Sequence, residues 1–320
     1  MMMYLITGGS GSLGGVLARY LVRGGARVRV FDVRPPAARD ADVEFVQGDV
    51  RDIGRLTGAM HGADAVVHLA QVGGRERVPP EIVQGVNGGG TANAVRAARE
   101  AGVPRFVLRS TADVYGAAVS VAREDAAALR PADLFAAVKL DAEGHCARAH
   151  REAGLQTVVL RLSWVVGTRD TDAWLRPMLW ALRHRRPIVT GGAGQHRVQL
   201  TAMSDCVAAF ARAATVPGVG GEVFNIAGLD APVFADLIEQ LRQRLGSSSP
   251  VWRVPQASAA RVLRALARLR LIPLLPEQVQ LLYADRVLDT TKARARLGWS
   301  AQLSAVDAVL ETIAPTAGRE

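Results

Sequence analysis

The sequence predicts an α/β fold, a doubly wound parallel sheet with a smaller region appended at its C-terminal side. Three observations lead there. Short apolar runs alternate with helix-period segments through the first half of the chain, the first run passes straight into a glycine-rich turn, and beyond about Trp164 the regular alternation gives way to a mixed pattern. Tyr4–Thr7, Arg27–Phe31, Val43–Val46, Ala65–Leu69, Phe106–Leu108 and Thr157–Leu160 are short, apolar and rich in β-branched residues, and read as strands. Between them Leu13–Val22, Gly89–Glu100 and Leu134–Glu152 repeat apolar or small residues at helical spacing and read as helices. Strands alternating with helices imply a parallel sheet covered on both faces, with ligands at the carboxyl ends of its strands. In the later part, Trp174–His184 predicts a helix ended before Pro187, Gly191–Gly194 a loop, and Ser204–Ala214 a further helix. The division expected is 1–163 for the sheet domain, with strands returning from the later chain, and 164–320 for a mixed α/β region.

Ala257–Leu275 is amphipathic with a basic face and precedes Pro276. A helix lying on a membrane surface is one reading. A helix of the appended region with a solvated arginine face is the reading preferred here. The whole chain carries a formal net charge of +9, yet it has only two lysines, Lys139 and Lys292. The excess is therefore read as an arginine-rich composition rather than as attraction to phosphates. No nucleic-acid motif accompanies it. No apolar run approaches the roughly 18 residues of a membrane span. Met1–Ile6 runs into the glycine turn and reads as a first strand, not a signal peptide. Cys146 and Cys206 lack metal spacing and suggest a reducing compartment, hence a cytoplasmic protein. The expected partners are a small molecule and a second copy of the chain, with neither nucleic acid nor membrane.

Thr7-Gly8-Gly9-Ser10-Gly11-Ser12-Leu13-Gly14 follows a strand and opens a helix. Gly8, Gly11 and Gly14 permit a tight turn, close approach of backbone to a pyrophosphate, and close helix packing. The helix start at Ser12 and Leu13 turns its positive end to the phosphates. Asp32 ends the second strand, where a carboxylate binds ribose hydroxyls and repels a 2′-phosphate. This favours NAD, and Arg34 nearby softens the preference.

With these residues in place the chain resembles the extended short-chain dehydrogenase/reductase family, the nucleotide-sugar epimerases and dehydratases in particular, and the resemblance runs nearly end to end. It implies a Rossmann-type sheet and NAD. Gly48-Asp49-Val50-Arg51-Asp52 matches the segment where Asp49 and Val50 would contact adenine. Val67-His68-Leu69-Ala70-Gln71 looks like the fourth-strand motif, placing Leu69, Ala70 and Gln71 beside pyrophosphate and ribose, with Gln71 where an alanine is usual. Val86-Asn87-x-x-Gly90-Thr91, Arg161–Gly167, Asp289–Arg294 and Leu297-Gly298-Trp299 match further family segments, with Leu162 replacing a proline. By the same resemblance a dimer would form through the helix carrying Phe135 and Lys139 and the helix near Asn87–Glu100.

The resemblance also marks a departure. Phe135-Ala136-Ala137-Val138-Lys139 stands where the family carries Tyr-x-x-x-Lys, two side chains on one helix face. The family tyrosine passes a proton to or from the substrate oxygen, and phenylalanine has no exchangeable proton. Lys139 keeps its place and is expected on the nicotinamide ribose. In Ser110-Thr111-Ala112-Asp113-Val114-Tyr115-Gly116, Thr111 takes the catalytic Ser/Thr position and Asp113 the place of the glutamate of sugar dehydratases, while Ala112 replaces their aspartate. Thr111 has an alternative role as a strand-end cap, and Asp113 one as a turn or salt-bridge residue. His145 and Cys146 follow on the same helix and are read as structural. Arg197, in Gly192–Asp205, is expected to meet a substrate diphosphate. Ala202 stands where a histidine is usual, and Asp205 is expected to cap the following helix.

The expected function is thus an NAD-dependent epimerase/dehydratase-like enzyme acting on a sugar nucleotide or other hydroxylated small molecule with altered acid–base chemistry. The alternatives are a non-catalytic NAD-binding sensor on a retired scaffold and a reductase of a small apolar ketone.

Overall fold

The structure is a computed structural model describing residues 1–36, 42–73, 78–117, 121–126, 129–272 and 275–313, without the side chains of 169–173. In chain order its elements are β1 (Met3–Thr7), α1 (Ser12–Arg23), β2 (Arg27–Asp32), β3 (Val43–Gln47), α2 (Ile53–Met60), β4 (Ala65–His68), α3 (Pro80–Val83), α4 (Gly90–Glu100), β5 (Arg105–Thr111), β6 (Val121–Ala122), α5 (Leu134–Ala153) and β7 (Gln156–Leu162). There follow β8 (Trp164–Val165), α6 (Arg169–Arg183), β9 (Ile188–Gly191), β10 (Leu200–Thr201), α7 (Met203–Thr215), β11 (Glu222–Ile226), α8 (Phe234–Arg244), β12 (Val251–Val254), α9 (Gln256–Arg268), β13 (Val287–Leu288) and α10 (Ala305–Ile313).

Seven strands form one sheet in the order β11-β7-β5-β4-β1-β2-β3, and each adjacent pair is parallel. The order reverses between β1 and β4, and that switch point opens a crevice above the strand ends. The predicted α/β class is therefore the one observed. Every residue of β1 is buried, as a central strand covered on both faces requires.

Two apolar layers clothe the sheet. On one face Leu13, Leu17 and Leu21 of α1 repeat every four residues and pack with Val207 and Phe210 of α7. On the other, Leu56 and Met60 of α2 join Ala94 and Ala98 of α4 and Ala142, Cys146 and Ala149 of α5. The alanines let α4 and α5 lie close to the sheet. A third cluster, including Leu175, Leu179, Ile188, Leu237, Leu241, Val306 and Val309, forms the core of the appended region.

Several local features differ from the sequence expectation for physical reasons. The helix expected from Trp174 begins earlier, at Arg169, and carries Pro177 inside it. The turn before α4 is a π-type segment, Gln84–Gly89, in a glycine-rich stretch. Asp205 does not cap its own helix. Ala202 occupies the cap position without a side-chain bond, and the Asp205 carboxylate instead accepts from the backbone N–H groups of Gln302 at 3.0 Å and Leu303 at 3.2 Å. An acid one turn into α7 thus anchors the chain just before α10.

Candidate active site

The glycine turn after β1 leaves a cradle that side chains would close. Gly8 sits at φ +69°, and a Cβ there would lie 2.6 Å from the backbone nitrogen of Ala70; a Cβ on Gly14 would lie 2.5 Å from the Cα of Gly9. Side chains at these positions would fill the cradle or push α1 off the sheet. The α1 N-terminus has Gly11 as its cap residue with no side-chain bond, and Gly11 and Ser12 are exposed while Leu13 and Gly14 are buried. An uncapped helix start facing the strand ends offers N–H groups and positive potential to a phosphate. Asp32, at the tip of β2, accepts from the backbone N–H of Ser10 at 3.0 Å and of Arg34 at 3.2 Å. Its remaining lone pairs are suited to ribose hydroxyls. Arg34 is exposed beside it.

The neighbouring positions are held firmly. Asp49 is bonded by Arg51, whose Nε lies 3.0 Å and Nη2 2.6 Å from its two oxygens, and that hydrogen bonding holds its carboxyl below the usual range. Val50 and Leu69 are buried, and Ala70 and Gln71 half-buried. The segment after β4 is pinned by Asn87, whose side chain accepts from the Val72 N–H at 2.9 Å and donates to the Val72 carbonyl at 2.8 Å. Beneath it His68 is fully buried, its Nδ1 2.7 Å from Thr7 Oγ1 and its Nε2 3.0 Å from Thr91 Oγ1. Thr91 donates to the Asn87 carbonyl at 2.6 Å, so its oxygen accepts from His68 Nε2–H and Thr7 donates to Nδ1. Burial, and secondarily the Lys139 charge, pushes His68 down to about 3; it is a neutral structural link.

A pocket beside this cradle is lined by Gln71, Thr111, Asp113, Phe135, Ser163 and Trp164, with Leu162, Val165, Gln278 and Leu281 among its walls. Three of the expected catalytic residues are therefore brought together. Thr111 ends β5, and its Oγ accepts from the Asp113 N–H at 3.2 Å, which leaves its hydroxyl hydrogen to be donated elsewhere. The strand-end capping role and an outward donor role coexist. Asp113 is ion-paired with Arg286, and the Arg286 guanidinium lies 4.9 Å over the Trp164 ring. Arg286 is about nine-tenths buried, and its Nη1 has no hydrogen-bond partner among the described residues.

Phe135 is the second residue of α5, which Asp133 caps through a side chain that accepts from the Ala136 N–H at 2.8 Å. Lys139, one turn on, is buried; its Nζ donates to the Arg109 carbonyl at 3.1 Å and stands 5.7 Å from the Phe135 ring centroid. One more turn along the same face comes Glu143, which the sequence reading missed. It accepts from Ser110 Oγ at 2.5 Å, Arg161 Nε at 3.0 Å and Arg161 Nη2 at 2.7 Å. Arg161 Nη1 reaches the Tyr115 hydroxyl at 2.9 Å, which donates to Asn225 Oδ1 at 2.7 Å. Burial alone would lower Arg161, but the Glu143 bonds overcome it and hold the guanidinium charged. This network ties β5, α5, β7 and β11 together under the pocket floor. The signal was present in the i, i+4, i+8 spacing of Phe135, Lys139 and Glu143.

Other expected residues lie elsewhere. Arg197 is exposed, donates through Nε to the Ala231 carbonyl at 2.9 Å and is not among the pocket residues. His145 engages Arg148 at 2.9 Å. Cys146 is fully buried, and burial pushes its thiol up, out of reach of proton transfer.

A model of the NAD dependent epimerase/dehydratase family matches residues 4–227. The chain belongs to this family. It is accordingly an NAD-dependent enzyme, and the cradle above fits that cofactor. The dTDP-glucose 4,6-dehydratase of Streptomyces niveus is 28% identical over 330 residues, covering 98% of this chain and 92% of its own. The 3beta-hydroxysteroid-dehydrogenase/decarboxylase isoform 1 of Arabidopsis thaliana is 26% identical over 346 residues, covering 97% and 78%. Among solved structures, the dTDP-glucose 4,6-dehydratase DesIV of Streptomyces venezuelae with NAD bound superposes with a TM-score of 0.77 at 26% identity, covering 98% of this chain and 96% of that one.

Proposed function

We propose that the chain acts on a hydroxylated small molecule of the sugar-nucleotide kind, with Phe135 in the place of the family's proton-transferring tyrosine and with Thr111 and Asp113 carrying the polar chemistry. The observation that carries this reading is the convergence of Thr111, Asp113 and Phe135 on one pocket next to the glycine cradle. Gly8, Gly11, Ser12, Leu13 and Gly14 would hold the pyrophosphate, Asp32 the adenosine ribose, Asp49 and Val50 the adenine edge, and Leu69, Ala70, Gln71 and Lys139 the central and nicotinamide riboses. NAD supplies hydride acceptance and return. Thr111 donates its free hydroxyl hydrogen to the substrate oxygen. Asp113, an ionised and paired carboxylate, accepts protons and does not donate them. Arg286 rather than Arg197 supports an anionic substituent of the substrate, because its buried Nη1 still has a donor to give.

Loss of a positioned acid costs about 10²–10⁴ in rate unless another group replaces it. Two outcomes therefore test the reading. If Phe135→Tyr leaves turnover within a few-fold on a panel of dTDP- and UDP-sugars while Thr111→Ala and Asp113→Asn abolish it, the altered chemistry stands. If Phe135→Tyr raises turnover by two orders of magnitude or more with the same products, Phe135 is simply a damaged position and the proposal fails. A second reading, oxidation or reduction at an apolar ring alcohol, is favoured by the pocket walls Phe135, Leu162, Trp164, Val165 and Leu281. It predicts turnover of hydroxysteroids and none of sugar nucleotides.

A further inference from the structure

The chain's positive charge is concentrated in one place. Of 39 Lys and Arg residues, eight arginines lie in two segments, Arg183, Arg185 and Arg186 at the end of α6 and Arg253, Arg261, Arg264, Arg268 and Arg270 along β12 and α9. Neither 183–186 nor 253–270 contains an acidic residue. The remaining 31 basic residues nearly match the chain's 30 acidic ones, so these segments hold almost the whole net charge of +9. Seven of the eight are exposed, Arg264 being half-buried, and no ion pair is formed by any of them among the described residues.

The same elements carry apolar side chains into solvent. Of 12 large hydrophobic residues exposed among the described residues, six are Trp180, Val189, Trp252, Val262, Leu269 and Leu271. Val189 and Trp252 are direct partners across the β9–β12 pair. On α9, Arg261, Val262, Ala265, Arg268 and Leu269 are all exposed and follow helical spacing on one side. The helix ends with Arg270 in the left-handed region, φ +61°, and the Leu271 N–H bonds back to the Leu266 carbonyl at 2.9 Å, which turns Leu271 out beyond the helix end at 68% exposure. On α9 the exposed arginines thus alternate with exposed Val262 and Leu269, and Trp252 stands on the adjoining strand β12.

We propose that this face of the appended region, α9 with the β9–β12 ribbon and the end of α6, docks on an anionic lipid bilayer surface. Charge complementarity selects the partner: arginines meet lipid phosphates while their stems and the neighbouring leucine, valine and tryptophan side chains enter the headgroup–acyl boundary. Nucleic acid would match the charge but would leave the aliphatic residues in water. No helix among the described residues is long and apolar enough to cross a membrane, so the attachment is peripheral. α9 packs against the Pro276–Tyr283 turn, whose Gln278 and Leu281 line the pocket. The bilayer would thus adjoin an element that lines the pocket.

The test is co-sedimentation of the full chain with phosphatidylcholine vesicles, with and without phosphatidylglycerol, at low and high salt. Binding is expected only with phosphatidylglycerol and is weakened by salt. Each basic residue near such a surface contributes about a fivefold gain in partitioning, so Arg261→Ser, Arg268→Ser and Arg270→Ser together should lower it about 100-fold. The matching lysine variant should retain it. Trp252→Ser, Leu269→Ser and Leu271→Ser should lower partitioning at least tenfold with the salt dependence intact. All these side chains are exposed, so an unchanged melting temperature reports an intact fold. Absence of binding at low salt, full binding by the apolar triple variant, or preferential binding of single-stranded RNA over vesicles would overturn the proposal.

Discussion

Removing the Glu143 carboxylate gives the sharpest test of how the pocket floor is held. In Glu143→Ala, Arg161 loses three guanidinium bonds, of 3.0, 3.2 and 2.7 Å, and Ser110 loses its acceptor. Arg161 is only 4% exposed, so water cannot readily replace the lost partner. A buried charge left unpaired costs about 3–5 kcal/mol, a large part of the roughly 5–15 kcal/mol by which domains are stable. At about 2–4 °C per kcal/mol for larger domains, the melting temperature should fall by about 10 °C. Chemical denaturation followed by circular dichroism measures the loss as a lower midpoint with an unchanged slope. The double variant Glu143→Ala/Arg161→Met removes both charges and should recover most of the stability, since apolar replacement of a buried pair is often neutral. A loss under about 1 kcal/mol in the single variant, or no recovery in the double, would show that solvent reaches the pair and that the floor is braced by other means.

Gly8→Ala should abolish NAD binding in titration: the left-handed backbone alone costs about 1–3 kcal/mol, and the new methyl would strike Ala70. Asp32→Ala should weaken NAD by about 2 kcal/mol, the worth of a charge-assisted bond, and narrow the gap between NAD and NADP measured by calorimetry. His68 lies near 3 in the folded protein against an ordinary 6.5. A depressed histidine contributes stability above its unfolded value, and this is lost as pH falls from about 6.5 towards 3. His68→Gln should flatten that part of the stability profile.

The sheet was legible because its signals are local. A strand's apolar run, a glycine turn and the alanine spacing of α5 each lie within a few consecutive residues. The positions of the Gly8–Gly14 turn before α1 and of Asp32 at the end of β2 were readable for the same reason. What escaped depends on long separations. Arg286 meets Asp113 across 173 positions, and nothing near either residue announces the other. Arg197 sat in the better motif, yet its backbone N–H is taken by Asp285 at 2.7 Å and its side chain by Ala231, which keep it at the surface. Asp205 resembled a cap because it opens a helix in sequence, but its oxygens answer N–H groups nearly a hundred residues away. The basic character of α9 was visible, whereas its concentration with α6 needed the β9–β12 pairing to be known.

The outermost strand β11 also sets the order in which the chain can fold. It pairs along the whole of its length with β7, yet the 163–221 stretch intervenes between them. As the chain leaves the ribosome, β7 is complete while its flank stays bare, and Asn225 has not arrived to receive Tyr115 or to bind the Ala122 and Asp289 carbonyls. Until then a buried apolar strand offers an open row of backbone donors and acceptors, the situation that invites pairing with a neighbouring chain. A fragment ending at 163 would keep that flank permanently and should aggregate rather than fold. The chain beyond β8 therefore closes the open flank of the seven-stranded sheet, delivered after β7 in synthesis.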